Sequence, residues 1–271
     1  MTRDIGAEFR ALHRPGQPFI LANAWDAGSA RMLESLGARA IASSSAAHAF
    51  TLGRADLGQI SRDEALSHAQ ALVAAVAVPV SGDFENGFGA APEICGETVR
   101  LAGEIGLAGI SIEDIDLPAT TPYAFDLAVE RIRAAAAAAR ALPGDFVLVA
   151  RADGIMHGAY DIEEALRRLL AFERAGADCL YAPLPASMDD LARICAATHL
   201  PVNGLAAGTF TKASRADFAR AGVARISLGS TLARATHRLI DEAGRAMFER
   251  GDFSAMEPVA AGRDIDELLK R

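Results

Sequence analysis

The chain has 271 residues, is 51% hydrophobic and carries a formal net charge of -8, enough material for one α/β domain, since barrels of that class run to about 250 residues. Acidic and basic residues are interspersed, so no basic stripe exists to neutralise a phosphate backbone, and nucleic acid is excluded as an expected partner. The charged start MTRDIGAEFRALHRPG lacks the apolar core of a signal peptide, and no later stretch reaches the roughly 18 apolar residues of a membrane span, which predicts a cytoplasmic protein.

Short β-rich runs alternate with Ala/Leu/Arg-rich segments of helical period along the whole chain. The predicted strands are FILANAW (19–25), AIASSS (40–45), VPVSGDFE (78–85), GISIEDI (109–115), FVLVARAD (146–153), DCLYAPLP (178–185), PVNGLAA (201–207) and RISLGS (225–230). Between them RDEALSHAQALVAAV, AFDLAVERIRAAAAAARAL and DIEEALRRLLAFERAG repeat apolar residues at three and four positions, the pattern of helices with one buried face. Gly37, Gly106, Gly176 and Gly222 each stand before a strand and read as left-handed helix stops. Eight alternations predict a (β/α)8 TIM barrel occupying residues 1–271 as a single domain. The eighth helix is expected near 231–249, with a helical extension at about 250–271 whose Ile265, Leu268 and Leu269 form an apolar face needing a cover. Cys95, Cys179 and Cys195 lack CxxC spacing and read as packing residues.

Active sites of such barrels sit where the strands end at their carboxyl side. Here the strands end in Trp25-Asp26, Ser43-Ser44-Ser45, Asp83-Phe84-Glu85, Glu113-Asp114, and Arg151 with Asp153, and the seventh carries Asn203. Asp83 and Glu85 are two apart on a strand, which points both to one face, and Glu113 emerges from the next strand at the same height. Three such carboxylates repel unless a cation lies between them, and Mg²⁺ suits hard oxygen ligands with room for water. The alternative, equally open on spacing, is that they pair with Arg151 or cap a helix. Arg151 ends the apolar VLVAR and can hold a carboxylate bidentately, or else form a buried ion pair with Asp114 or Asp153. Taken alone, Asp56 in LGRADLG reads as a loop residue, His48 as a packed histidine, and the serine triplet as small residues that could also donate to an anionic oxygen.

LANAWDAGSARMLESLGARAIASSSAAHAFTLG, SGDFENGFG, GISIEDI and VLVARADG, in this order and spacing from about Phe19 to Gly229, resemble the isocitrate lyase/phosphoenolpyruvate mutase superfamily. The resemblance implies Mg²⁺, with Mn²⁺ able to substitute, held partly through water by Asp83, Glu85 and Glu113. It lifts Asp56 to a holder of metal-bound water and a catalytic residue. It makes Ser44, with Ser45 beside it, a carboxylate-binding residue, and aligns Arg151 with the arginine of strand five. Trp25 and Asn203 join the expected substrate-binding set. It also implies a homo-oligomer, a dimer of dimers in which eighth helices are exchanged between subunits.

The departures narrow the reaction. The KKCGH loop of isocitrate and methylisocitrate lyases is absent. Ala119, Thr121 and Pro183 stand where phosphonomutases carry a lysine, an asparagine and a histidine. What remains suits stabilisation of an enolate from a small 2-oxo or 2-hydroxy carboxylic acid, by oxaloacetate-like decarboxylation or retro-aldol cleavage. If an acid is needed, Tyr123, Asp116 and Tyr181 are the candidates, Tyr123 foremost. Carbon–phosphorus chemistry on a phosphonopyruvate-like substrate and a non-catalytic 2-oxo-acid binding protein are the other open readings.

Overall fold

The computed structural model describes residues 3–270; Met1, Thr2 and Arg271 of the expected single-domain span lie outside them. Eight parallel strands close into a barrel: β1 (Phe19–Asn23), β2 (Ile41–Ala42), β3 (Val80–Asp83), β4 (Gly109–Glu113), β5 (Val147–Arg151), β6 (Cys179–Tyr181), β7 (Val202–Leu205) and β8 (Arg225–Ser227). Neighbours in the ring are neighbours in sequence, and β8 closes on β1 with Phe19 opposite Arg225 and Leu21 opposite Ser227. The predicted TIM barrel is therefore the observed fold.

The strands alternate between two cores, as their period of two requires. Leu148 and Ala150 of β5 face the helix layer with Ile110, Ile112 and Leu180. Val147 and Val149 face the barrel interior with Phe19, Leu21, Cys179, Tyr181 and Leu205. Helix α1 (Ile5–Leu12) lays Phe9 against that interior set, closing the bottom of the barrel. Extending the alternation upward, the inward positions are polar: Ser81 and Asp83, Ser111 and Glu113, Arg151, Asn203, Arg225 and Ser227. The packed floor thus turns into a polar bowl at the strands' carboxyl ends.

The connecting helices are capped as their sequences suggest. Ser44 Oγ accepts from Ala47 N at the start of α3 (Ser45–Thr51), which explains why β2 stops at Ala42 rather than running through the serines. Ser61 and Asp161 cap α4 (Arg62–Ala75) and α7 (Ile162–Ala175). Gly37, Gly106, Gly176 and Gly222 all have positive φ, which bears out their reading as stops. One feature was not expected: residues 115–122 form a hairpin, Ile115–Asp116 pairing with Thr121–Pro122 above β4.

Helix α10 spans Thr231–Arg250, within a residue of the expected eighth helix. The tail helix α11 (Gly262–Leu269) packs on α2 (Ala27–Ser35) of its own barrel, where Ser35 Oγ donates to Leu268 O over 2.6 Å and Ile265, Leu268 and Leu269 become half-buried. This corrects the expectation that the tail's apolar face waits for another subunit. The uncovered side chains are instead on α10 and just beyond it, among them Ile240, Phe248 and Phe253. Among the described residues no helix is long and apolar enough to cross a membrane.

Candidate active site

The bowl holds a cavity of about 240 Å³, lined at the strand ends by Ser43, Ser44, Ser45, Asp83, Glu85, Glu113, Arg151, Tyr181 and Ser227, and roofed by Asp56, Leu117, His157 and Arg234. Its centre is Arg151. The Nε and Nη2 of this arginine fork onto Asp153 at 2.9 and 2.7 Å, a bidentate pair that fixes the plane of the guanidinium. The remaining nitrogen, Nη1, lies 2.9 Å from Asp83 Oδ1 and 3.1 Å from Glu113 Oε1. Tyr181 supports it from one face, with its ring centroid 5.0 Å from the guanidinium carbon. Of the two ion-pair partners foreseen for Arg151, Asp153 is realised. Asp114 faces the helix layer, where it receives Arg168 and Tyr160.

Asp83 is held from its other side by Ser45, whose backbone N–H and hydroxyl donate to Oδ2 over 3.0 and 3.1 Å. Ser43 Oγ accepts from Asp83 N. The serine triplet therefore builds the carboxylate wall, and Ser44 both caps α3 and faces the cavity. Asp56 reaches the cavity from its loop, with Oδ1 accepting from Leu57 N.

Burial dominates the electrostatics. It raises the Glu113 carboxyl well above its ordinary range, although Arg151 opposes the shift. It pushes Glu85 up to about 7 and raises Asp56. These are the shifts of a site with more acid than cation, where carboxylates give up charge unless another positive group arrives.

Two parts of the metal expectation are corrected. β3 ends at Asp83, and Glu85 lies beyond it with φ of 46°, so it reaches the cavity through a left-handed turn and not through strand alternation. Its Oε1 accepts from Gly58 N. Arg151 also stands between Asp83 and Glu113, and among the described residues no three His, Cys, Asp or Glu side chains form a group that could hold a metal ion.

Three expected site residues lie elsewhere. Tyr123 is buried under the Arg131 guanidinium, 4.1 Å from its ring centroid, and its hydroxyl bridges Asn86 and Asp116 outside the cavity. Neither Tyr123 nor Asp116 can hand a proton to a molecule held there. Trp25 is not among the lining residues; its carbonyl accepts from His68 Nε2. Asn203 is fully buried beneath the cavity and touches Arg225 and Ser227 rather than the open space. His48 is packed, as expected, stacked on His68 at 3.9 Å.

Arg225, Ser227, His157 and Arg234 line the cavity without having been singled out. Arg225 and Ser227 were findable, since they occupy the inward positions of RISLGS by the same alternation that placed Arg151. His157 and Arg234 arrive from a loop and a helix start, where no periodicity points.

The family model for phosphoenolpyruvate phosphomutase matches residues 9–248 of the chain. A 2,3-dimethylmalate lyase of Eubacterium barkeri is 32% identical over 202 residues, 70% of this chain and 67% of that protein. An oxaloacetate decarboxylase of Chromohalobacter salexigens is 29% identical over 81% of this chain and 77% of its own. Among solved structures, a candidate lyase/mutase from Burkholderia cenocepacia J2315 superposes with a TM-score of 0.92 at 45% identity, covering 98% of this chain and 95% of that one.

Proposed function

Because the chain belongs to the phosphoenolpyruvate phosphomutase family, within the isocitrate lyase/phosphoenolpyruvate mutase superfamily, we propose that it is a Mg²⁺-dependent carbon–carbon lyase acting on a small 2-oxo or 2-hydroxy carboxylic acid. The observation that carries this reading is the bowl itself: Asp56, Asp83, Glu85 and Glu113 line one small cavity around a single rigidly forked arginine. The names of the relatives, 2,3-dimethylmalate lyase and oxaloacetate decarboxylase, support bond cleavage in small carboxylic acids.

The donor set fits a hard cation. Glu85 and Glu113 are raised by burial and by their acidic neighbours, strain that a divalent ion would relieve. Asp83 and Glu85 would hold Mg²⁺, or Mn²⁺ in its place, with Asp56 and Glu113 acting through water. When bound, the ion supplies positive charge to the carboxylate and 2-oxygen of the substrate.

Arg151 sets its positive charge beside the same end of the substrate, its guanidinium plane fixed beforehand by Asp153 and its Nη1 shared between Asp83 and Glu113 at the cavity wall, so the charge is in place as an enolate develops. Ser44, at the cavity edge, offers a hydroxyl to the carboxylate. With Tyr123 and Asp116 outside the cavity, and the hydroxyl of Tyr181 in its wall pushed well above the ordinary phenol range by burial, the chemistry that needs no acid for a leaving group fits best, namely loss of CO₂ from an oxaloacetate-like acid.

The test is turnover of a panel of 2-oxo and 2-hydroxy acids in Mg²⁺, in Mn²⁺ and in excess EDTA, with Asp83→Ala beside the parent. Activity should require the divalent ion, return on its re-addition and be lost in Asp83→Ala with the barrel still folded by circular dichroism. Full turnover in EDTA would remove the metal from the reaction. Ligand-dependent stabilisation with no product would make the chain a binding protein.

A further inference from the structure

Among the described residues four arginines are buried, and in three of them no buried nitrogen is left without a partner. Arg131 donates to the carbonyls of Asn86 and Gly89, Arg151 meets Asp83, Glu113 and Asp153, and Arg168 meets Asp114 and Glu164. Arg225 is different. It is 3% exposed, its Nε donates to Asn203 Oδ1 over 2.8 Å, and its Nη1 is buried without any hydrogen-bond partner.

A guanidinium has five donors and keeps its charge at any physiological pH, so a buried one with an unused nitrogen carries a desolvation cost with nothing set against it. Burial pulls Arg225 below the ordinary guanidinium range and the nearby Arg151 adds to the shift, while Cys179, Tyr181 and Asp83 oppose it without hydrogen-bonding to Nη1. Water could offer an acceptor there but not a counter-charge. The missing partner is an anion.

The placement says which anion. Arg225 is the first residue of β8, it lines the cavity, and the ring order puts β8 across the barrel from β4 and its Glu113. One wall of a cavity of about 240 Å³ therefore holds the carboxylates and Arg151, and the facing wall holds an unpaired cation. Asn203 fixes that cation: its Oδ1 must face Nε, a pure donor, which leaves Nδ2 to donate to Ser227 Oγ over 2.9 Å.

We propose that Arg225 is a substrate-binding residue that selects for a second acidic group, receiving the far carboxylate of a small dicarboxylic acid whose 2-oxo end lies against the acidic wall, with Asn203 as its positioning residue. The assignment rests on the reading of that wall as the 2-oxo-acid site. It gives the far carboxylate of an oxaloacetate-like acid its own residue and disfavours small monocarboxylates, whose far end would leave Arg225 as costly as it is in the free protein.

The experiment compares succinate with butyrate, equal in chain length and differing in one carboxylate, by isothermal titration calorimetry in Mg²⁺ on the parent, Arg225→Met and Arg225→Gln. The parent should prefer succinate by roughly 30-fold or more, the loss expected on removing one partner of a buried charged pair. Both variants should bind the two acids alike. Thermal unfolding without ligand should show at least one variant as stable as the parent, because an uncompensated buried charge has been removed.

Equal binding of the two acids by the parent, or a preference that survives in both variants, overturns the proposal. Marked destabilisation of both unliganded variants also overturns it, by making Arg225 a structural cation. A succinate preference that depends on Arg225 in a protein with no turnover of oxaloacetate upholds this assignment and removes the lyase reading instead.

Discussion

Arg151 was readable from five letters, VLVAR, because a strand that is apolar up to its last residue and then charged has one inward direction in which to send that charge. What those letters do not contain is the division of labour among its nitrogens, two for Asp153 and one for the cavity. A lysine keeps the charge and cannot make that fork. Arg151→Lys should therefore lower kcat/KM by about 100-fold or more, within the range of about 2 to 5 kcal/mol for disturbing a buried charged pair. Steady-state kinetics checks it, and unchanged kcat and KM would take Arg151 out of the site. Tyr123 gives the opposite expectation. Its hydroxyl serves Asn86 and Asp116, so Tyr123→Phe should cost about 1 kcal/mol of stability and leave kcat within a few-fold of the parent. A loss of 100-fold in kcat would return Tyr123 to the chemistry. Tyr123 and Trp25 were misplaced for one reason: both follow a strand end, and beyond the last paired residue the chain no longer has a period that tells inside from outside. Arg225 does have that period on its strand, but it stands at the strand's start, away from the carboxyl ends where barrels of this class keep their reactive groups.

At the scale of elements, long periodic helices and their glycine stops were legible, whereas two-residue strands were not. The hairpin at residues 115–122 has too few residues for any alternation, and its register exists only through pairing. The contact between α3 and α4 is another case that sequence spacing cannot supply. His48 and His68 stack at 3.9 Å, and both ring nitrogens of His48 are buried without partners. Burial, and then the neighbouring His68, push His48 down to about 4. The folded protein thus holds His48 neutral while the unfolded chain protonates it near 6.5. The contribution is intact above pH 6.5 and is lost as pH falls from 6.5 towards 4. Glu85, raised to about 7 by burial, works the other way, favouring the folded state as acid neutralises it. The measurable quantity is therefore a difference. His48→Phe keeps a ring on His68 and cannot titrate, so its urea midpoint relative to the parent should rise steadily between pH 6.5 and 4. A difference that stays constant over that window would show that His48 does not take up its proton on unfolding.

At the scale of the molecule, the barrel and its polar rim were legible because eight repeats of one pattern leave little else to build, but which apolar face stays uncovered was legible only in part. The sequence left the tail's apolar face in need of a cover while the resemblance implied exchange of the eighth helices; the structure lays the tail on α2 and leaves α10, the eighth helix, bare. Ile240 is 67% exposed and Phe248 89%, about 80° apart around the helix axis and so within one broad apolar stripe, and Phe253 and Val259 follow at 62% and 80%. Large apolar side chains at such exposure on one element mark a contact surface, and a symmetric pairing of α10 with a second copy would cover them at both ends of the same operation. We propose that the homo-oligomer implied by the resemblance, a dimer of dimers, is held through α10 and not through α11. Light scattering after size exclusion should give a tetramer for the parent and a smaller species for the Ile240→Asp, Phe248→Asp double variant, since a carboxylate buried without a partner in an apolar contact is costly. Deleting residues 257–271 should leave the mass of the oligomer unchanged and lower Tm by a few degrees, because it strips the cover from α2 alone. A monomeric parent at micromolar concentration would refute the assembly, and dissociation on removing the tail while the α10 variant stays assembled would hand the contact back to α11.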